Sequence, residues 1–234
     1  MVKEVYVMKD SLGDRIKRYE TAYNAVMTPH SVVIIRVDGK GFHTFTKGCE
    51  KPFDQKIIDS MATATIECAS KIGGFKLTYT QSDEATFMLT DFDNLNTQGW
   101  FNYEVNKIIS ITASMFTVYF NKVYGSTDAF FDARAFIVPV DDWQNVFIWR
   151  QRDWERNLIQ MVTRANFTHT ECSHRKIPEL KSNLHYIGVD YDNFSDQHKY
   201  GTFVSSNLGK FYAKVNYDSL TEYVRFDNKK ENKG

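Results

Sequence analysis

The chain has 234 residues, 42% hydrophobic and 15% aromatic, which is enough apolar material for one substantial core and argues against a disordered or repetitive chain. Its 29 basic residues balance 29 acidic ones, so the global field steers no polyanion and any such ligand must be met by a local patch. No run reaches the roughly 18 apolar residues of a membrane span, the three cysteines form no disulfide framework, and MVKEVYVMKD has no apolar signal core, so a reduced, cytoplasmic protein without membrane association is expected.

DSLGDRIKRYETAYNAV (10–26) starts with Ser11 as a capping residue, Asp14 three positions on, and sets Leu12, Ile16, Tyr19 and Tyr23 on one face of a first helix. SVVIIRVD (31–38) is β-branched and continuously apolar, as a strand covered on both faces requires. DQKIIDSMATATIECASKI carries Ile58, Met61, Thr65, Cys68 and Ile72 at helical spacing and stops at Gly73-Gly74. FKLTYT and ATFMLT flank QSDE and predict a hairpin with a four-residue turn at 81–84. A long helix over 100–125 closed by Gly125 and a strand over 131–139 complete a βαββαβ order. A further helix holds Trp143, Phe147, Trp154 and Leu158; KYGTFV predicts a late strand, and DNKKENKG a solvated tail.

The βαββαβ order is that of the α+β, ferredoxin-like split βαβ fold, whose first strand lies antiparallel beside the third. The first strand ends at Asp38 and the third begins just after Asp83 and Glu84, so acids more than 40 residues apart share one rim. Oxygen ligands of this kind suit magnesium, which keeps several waters and takes its other ligands from substrate phosphates. Gly39 permits close backbone approach, so its carbonyl is a candidate third ligand. Lys40, His43, Lys47 and Lys51 follow in the same loop and offer donors to phosphate oxygens. Two metals at such a rim would activate a hydroxyl and steady a leaving pyrophosphate, which is nucleotidyl transfer. Taken singly, each motif is better explained as turn chemistry; their adjacency favours function.

RVDGKGFHTF (36–45), KPFD (51–54), TQSDEATF (80–87), FDARAFIVP (131–139) and WRQRD (149–153), in this order, resemble the tRNA-His guanylyltransferase superfamily, most closely its guanylyltransferase-like branch, over about residues 10–165. The resemblance implies a palm like that of polymerases and adenylyl cyclases, occupying 1–165, with a C-terminal extension of helices and small β elements at 166–234. It implies extension of RNA in the 3′-to-5′ direction with two Mg2+ ions, and ATP and other nucleoside triphosphates as substrates. Asp38, Gly39 and Asp83 match the metal-binding positions; Glu84 and Ser82 match the flanking acid and serine. Lys40, Gly41, Phe42 and His43 fall on the triphosphate loop, and Lys51 and Asp54 on the activation and triphosphate motif, although some members carry Arg and Asn where Lys40 and Gly41 stand. Where the guanylyltransferases proper have His-Ile-Asn-Asn, this chain has Glu155, Arg156, Asn157 and Leu158. The departure favours templated repair of 5′-truncated tRNA over addition of one G to tRNA-His. A homo-oligomer, tetrameric in the family, is also implied.

His169, Cys172 and His174 fit no standard zinc spacing and lack a fourth ligand. Arg175, Lys176 and Lys181 are equally a solvated face or contacts to RNA phosphates. Trp143, Trp149 and Trp154 at helical spacing are expected as core or interface anchors rather than base platforms, and Cys49, in the active loop, is incidental. Two other classes remain as alternatives: a nucleotide cyclase, giving a cyclic product from ATP or GTP alone, and a non-catalytic RNA-binding module, indifferent to EDTA and to Asp38→Ala.

Overall fold

The computed structural model describes residues 11–94, 96–224 and 226. In chain order, α1 (Leu12–Thr21) precedes β1 (Val32–Gly39), a single turn α2 (Phe42–Phe45), α3 (Gln55–Ala69), β2 (Phe75–Gln81) and β3 (Glu84–Leu89). Then come α4 (Val105–Tyr124), β4 (Phe131–Val138), α5 (Trp143–Asn166), α6 (His169–Cys172), α7 (Ile177–Tyr186), α8 (Asp196–Tyr200), β5 (Thr202–Ser205), β6 (Gly209–Phe211) and α9 (Tyr217–Tyr223). The solvated tail predicted at 227–234 lies outside the described residues.

The apolar run of β1 is accounted for by burial on both faces: Val33, Ile35 and Val37 pack under α3 and α4, while Val32 and Ile34 pack with Trp143 and Phe147 of α5. β1 sits second in a six-stranded sheet of order β4-β1-β3-β2-β5-β6, with all pairings antiparallel. The βαββαβ order and the β1–β3 adjacency expected from the sequence are both present. β5 and β6 lengthen this sheet along the free edge of β2, and α9 places Leu220 in the core on the α5 side. A third cluster joins Trp154, Leu158 and Val162 of α5 to Leu180 and Leu184 of α7. Among the described residues no helix is long and apolar enough to cross a membrane.

Four sequence expectations shift. The β2–β3 hairpin turns on two residues, Ser82 and Asp83, because Gln81 and Glu84 already pair; Ser82 takes the left-handed φ of 49° that so tight a turn demands. The fourth strand's preceding helix starts at Val105 rather than at 100, because the residues before it are recruited elsewhere. Met27 N–H donates to the Tyr103 carbonyl (3.0 Å), Val105 N–H to that of Ala25 (2.9 Å), and Val26 bridges Glu104. The late strand starts at Thr202, after α8 and Gly201, where φ is +72° and any Cβ would lie 2.9 Å from the Thr80 carbonyl oxygen. The first helix ends at Thr21, capped by Ser11 as expected, but its apolar face is not covered by the described residues: Leu12, Ile16, Tyr19 and Tyr23 are all exposed.

Candidate active site

Antiparallel register stacks side chains in rows across the sheet face that carries α5. At the rim, Asp38 of β1 lies between Asp132 of β4 and Glu84 of β3. One row inward, Arg36 pairs with Arg134 on one side and Thr86 on the other; the next row is apolar, with Phe136, Ile34 and Met88. A line of acids therefore faces a line of arginines. Arg36 and Arg134 each place a guanidinium nitrogen 3.9 Å from an Asp38 oxygen, and Arg134 also reaches Asp132 at 3.4 Å.

Glu84 is held more tightly. Arg36 bonds one carboxylate oxygen, while Arg150 from α5 reaches the other at 3.0 Å and Gln81 donates to it at 3.1 Å. Arg150 in turn bonds Asp153 (2.8 Å), which Arg156 also contacts (3.1 Å). Burial pushes the Glu84 carboxyl above the usual carboxylate range, and the charges of Arg150 and then Arg36 pull it back. With both oxygens engaged, Glu84 ties β3 to β1 and α5 and positions the rim.

Asp83 stands in the hairpin turn. Burial is the first cause raising its pKa; the Ser82 hydroxyl, donating at 2.9 Å, lowers it, and the Asp38 charge raises it again. Gly39 N–H donates to the Asp83 carbonyl at 3.1 Å, which locks the end of β1 to the turn. Gly39 is required by packing: a Cβ there would fall 2.4 Å from the Phe42 ring and 3.0 Å from Asp83 Cβ. This donor set fits magnesium. Two carboxylates and the adjacent Gly39 carbonyl are hard oxygen ligands few enough to leave positions for water and phosphate.

The other predicted residues divide into two groups. Lys51, Asp54 and Ser82, with Phe42 at its floor, line one pocket against Trp154, His198 and Thr202. Asp54 caps α3, accepting from Ile57 N–H at 3.1 Å, and Phe53 stacks on His198 with centroids 4.0 Å apart and rings nearly parallel. Lys40, Gly41 and His43 lie outside this pocket and are exposed, His43 on α2; Gly41 has a φ of 60° and opens that helix. The Phe42 ring is turned into the core among Phe45, Phe120 and Phe131. Sequence reasoning missed Arg36, Arg134 and Arg150, and the α8 wall of the pocket. The arginines stood within quoted motifs, but only the sheet register and the return of α5 disclose their shared target.

Trp143 and Trp154 are buried as expected, whereas Trp149 is exposed beside Arg36, Arg134 and Arg150 in a groove over the same rows. Among the described residues no group of three or more His, Cys, Asp or Glu is arranged to hold a metal, His169, Cys172 and His174 included. Lys181 pairs with Glu155 (3.1 Å) and covers the Tyr191 ring, and Leu158 is wholly buried.

Comparison with known proteins agrees with this geometry. Residues 13–139 match the family model described as Thg1, tRNAHis guanylyltransferase. A bacterial tRNA(His) guanylyltransferase (Thg1)-like protein solved in complex with ATP superposes with a TM-score of 0.85 at 37% identity, covering 91% of this chain and 96% of that one. The bacterial Thg1-like protein in complex with GTP gives a TM-score of 0.78 at the same identity and coverage. The tRNA(His) guanylyltransferase of Schizosaccharomyces pombe is 27% identical over 83% of this chain and 80% of its own length.

Proposed function

The chain belongs to the tRNAHis guanylyltransferase (Thg1) family, whose members are nucleotidyltransferases, and from that membership we propose that it adds nucleotides to the 5′ end of RNA in the 3′-to-5′ direction, templated by the opposite strand, to repair 5′-truncated tRNA. The observation that carries this is the apposition of Asp38 and Asp83 through the Gly39–Asp83 hydrogen bond, with Ser82, the residue before Asp83, lining a pocket together with Lys51 and Asp54. The solved bacterial relatives with ATP and with GTP support nucleoside triphosphates as substrates.

The transfer has two stages. A 5′-monophosphate attacks the α-phosphorus of ATP, forming a 5′-adenylylated RNA and releasing pyrophosphate; the 3′-hydroxyl of an incoming nucleotide then attacks the activated 5′ phosphate and AMP leaves. Magnesium held by Asp38, Asp83 and the Gly39 carbonyl supplies, when bound, charge neutralisation at the phosphates and acidity at the attacking hydroxyl. Lys40 and Lys51 offer ammonium donors to a triphosphate. Arg134 is exposed beside Asp38 and offers a guanidinium to a phosphate in the Trp149 groove. Arg36 and Arg150 fix Glu84 and so hold the rim rigid against the charge brought by substrate.

The positions that carry His-Ile-Asn-Asn in the guanylyltransferases proper support repair over single-G addition. Here Glu155 is paired with Lys181, Arg156 with Asp153, and Leu158 is in the core. The reading includes a homo-oligomer, which sedimentation velocity would detect. Labelled 5′-monophosphorylated tRNA lacking its first nucleotide, given ATP, nucleoside triphosphates and magnesium, should lengthen at its 5′ end, and a changed template base should change the nucleotide added. Extension of intact tRNA-His alone, by G whatever the opposing base, would replace this reading with guanylyltransferase activity.

A further inference from the structure

Beyond Arg150, α5 runs on for fourteen residues to Arg164, about 21 Å at 1.5 Å per residue. Arg152, Arg156, Gln160 and Arg164 follow one another at i, i+4 spacing and wind along its outer side. The two acids of this stretch are already matched: Asp153 by Arg150 and Arg156, Glu155 by Lys181. The row therefore presents net positive charge on a chain whose overall charge is zero.

At its far end the row opens into a polar pocket of ≈ 220 Å³, lined by Arg164, Arg175, His169, Ser173 and His174 among others. The guanidinium of Arg164 has no hydrogen-bond or ion-pair partner among the described residues. Arg175 is anchored differently. Its Nε donates to the Glu171 carbonyl at 2.9 Å, which fixes the fork and leaves the terminal nitrogens for a ligand. Glu171, close enough to feel the Arg175 charge, turns its carboxylate to the start of α6, where it accepts from the N–H and the hydroxyl of Thr168 at 2.8 and 2.7 Å. Ser173 closes the wall, its one hydroxyl proton given to the His169 carbonyl at 2.7 Å. Two guanidiniums around a polar hollow, with the local carboxylate diverted into a capping box, are suited to a phosphodiester.

We propose that Arg164 and Arg175 hold a backbone phosphate of the RNA whose 5′ end lies at Asp38 and Asp83, with the duplex following α5 between the two sites; this rests on the RNA 5′-end reading above. At roughly 2.8 Å of helix axis per pair in an A-form duplex, the 21 Å from Arg150 to Arg164 spans about seven to eight base-pair steps. The site acts as a ruler: it engages only RNA with a stem long enough to reach it, and it reads backbone rather than base.

Fluorescence anisotropy of 5′-monophosphorylated RNA hairpins, with stems of about ten and about three pairs, tests the contact across a salt titration. Arg164→Ala with Arg175→Ala should weaken the long hairpin about tenfold and flatten its log K against log[salt] slope by about 0.8, one phosphate contact at about 0.7–0.9. The short hairpin should bind both proteins equally, and Arg164→Lys with Arg175→Lys should restore most of the affinity. Both arginines are exposed, so an unchanged unfolding midpoint separates lost contact from lost fold. Equal affinity and slope for wild type and the alanine variant on the long hairpin overturn the proposal, as does an equal loss on both hairpins. Inorganic phosphate that shifts the wild type alone, with RNA binding unchanged by the substitutions, would assign the pocket to a free anion and overturn it too. If length- and arginine-dependent binding is seen without 5′ extension, the contact stands and the catalytic reading falls; extension with arginine-independent binding removes the contact alone.

Discussion

Gly39→Ala tests how the rim is built. The backbone at Gly39 is not left-handed, so the substitution brings no conformational strain; its whole effect is a methyl placed 2.4 and 2.8 Å from two atoms of the Phe42 ring and 3.0 Å from Asp83 Cβ. Ordinary carbon contacts lie near 3.5–4.0 Å, so one neighbour must retreat by about 1 Å. Phe42 cannot do so freely, because its ring is buried with centroids 5.0, 5.6 and 5.4 Å from those of Phe45, Phe120 and Phe131. Overpacking of this kind costs about 1–3 kcal/mol. If the hairpin turn moves instead, Asp83 shifts against Asp38, and a displacement of about 1 Å at a reacting centre costs about a hundredfold in rate. Urea unfolding and single-turnover 5′ extension measure the two effects on one preparation. Adding Phe42→Leu opens space for the methyl, so the double variant should lose about 1 kcal/mol less than the sum of the single losses. A Gly39→Ala protein with wild-type unfolding and wild-type extension would refute the packing account.

Arg150→Ala removes the 3.0 Å bond to Glu84 and the 2.8 Å bond to Asp153, both from a side chain only 10% exposed. It should lower stability by about 3 kcal/mol, and a loss below about 1 kcal/mol, as for surface pairs, would show that Arg36 alone holds Glu84. Burial, with a smaller push from Glu67, raises the Cys68 thiol from 9.0 to about 12. Its neutral form thus contributes stability that is complete below about 9 and lost as pH rises towards about 12. In mildly alkaline buffer iodoacetamide should label Cys49 and Cys172 but spare Cys68, and rapid labelling of Cys68 in the folded protein would contradict this. His198 is depressed from 6.5 by burial against Phe53, so its contribution to stability is present above 6.5 and falls away as the imidazole is protonated at lower pH. An NMR titration should find its midpoint below 6.5; one at or above that value would contradict the stacked geometry.

The strand order was legible because β1 declares double-sided burial in five apolar residues, and because one topology follows from βαββαβ once the hairpin of β2 and β3 is seen. That placed Asp38 and Asp83 on one rim before any coordinates. What stayed hidden depends on long-range return of the chain. Arg150 meets Glu84 from 66 residues away, and His198 meets Phe53 from the last third, where periodicity is weak. The Leu12–Tyr23 face shows the opposite failure: the helical spacing is sound, but spacing cannot say whether a partner lies within the same chain. The residues before α4 carry good helical periodicity and were taken by a bridge to Val26, a tertiary contact that outweighs local preference.

Asp83→Asn offers the sharpest test of the Asp38–Asp83 pair as the transfer centre. Burial raises the Asp83 carboxyl, so its ionised form costs more in the folded chain than in the unfolded one; the amide removes that cost and keeps an oxygen for the Ser82 hydroxyl. Unfolding in EDTA and single-turnover extension of a 5′-triphosphorylated RNA should be measured on the same protein. A higher unfolding midpoint with extension reduced by at least about a thousandfold is the expected result, and a lower midpoint with extension near the wild-type rate would contradict the assignment.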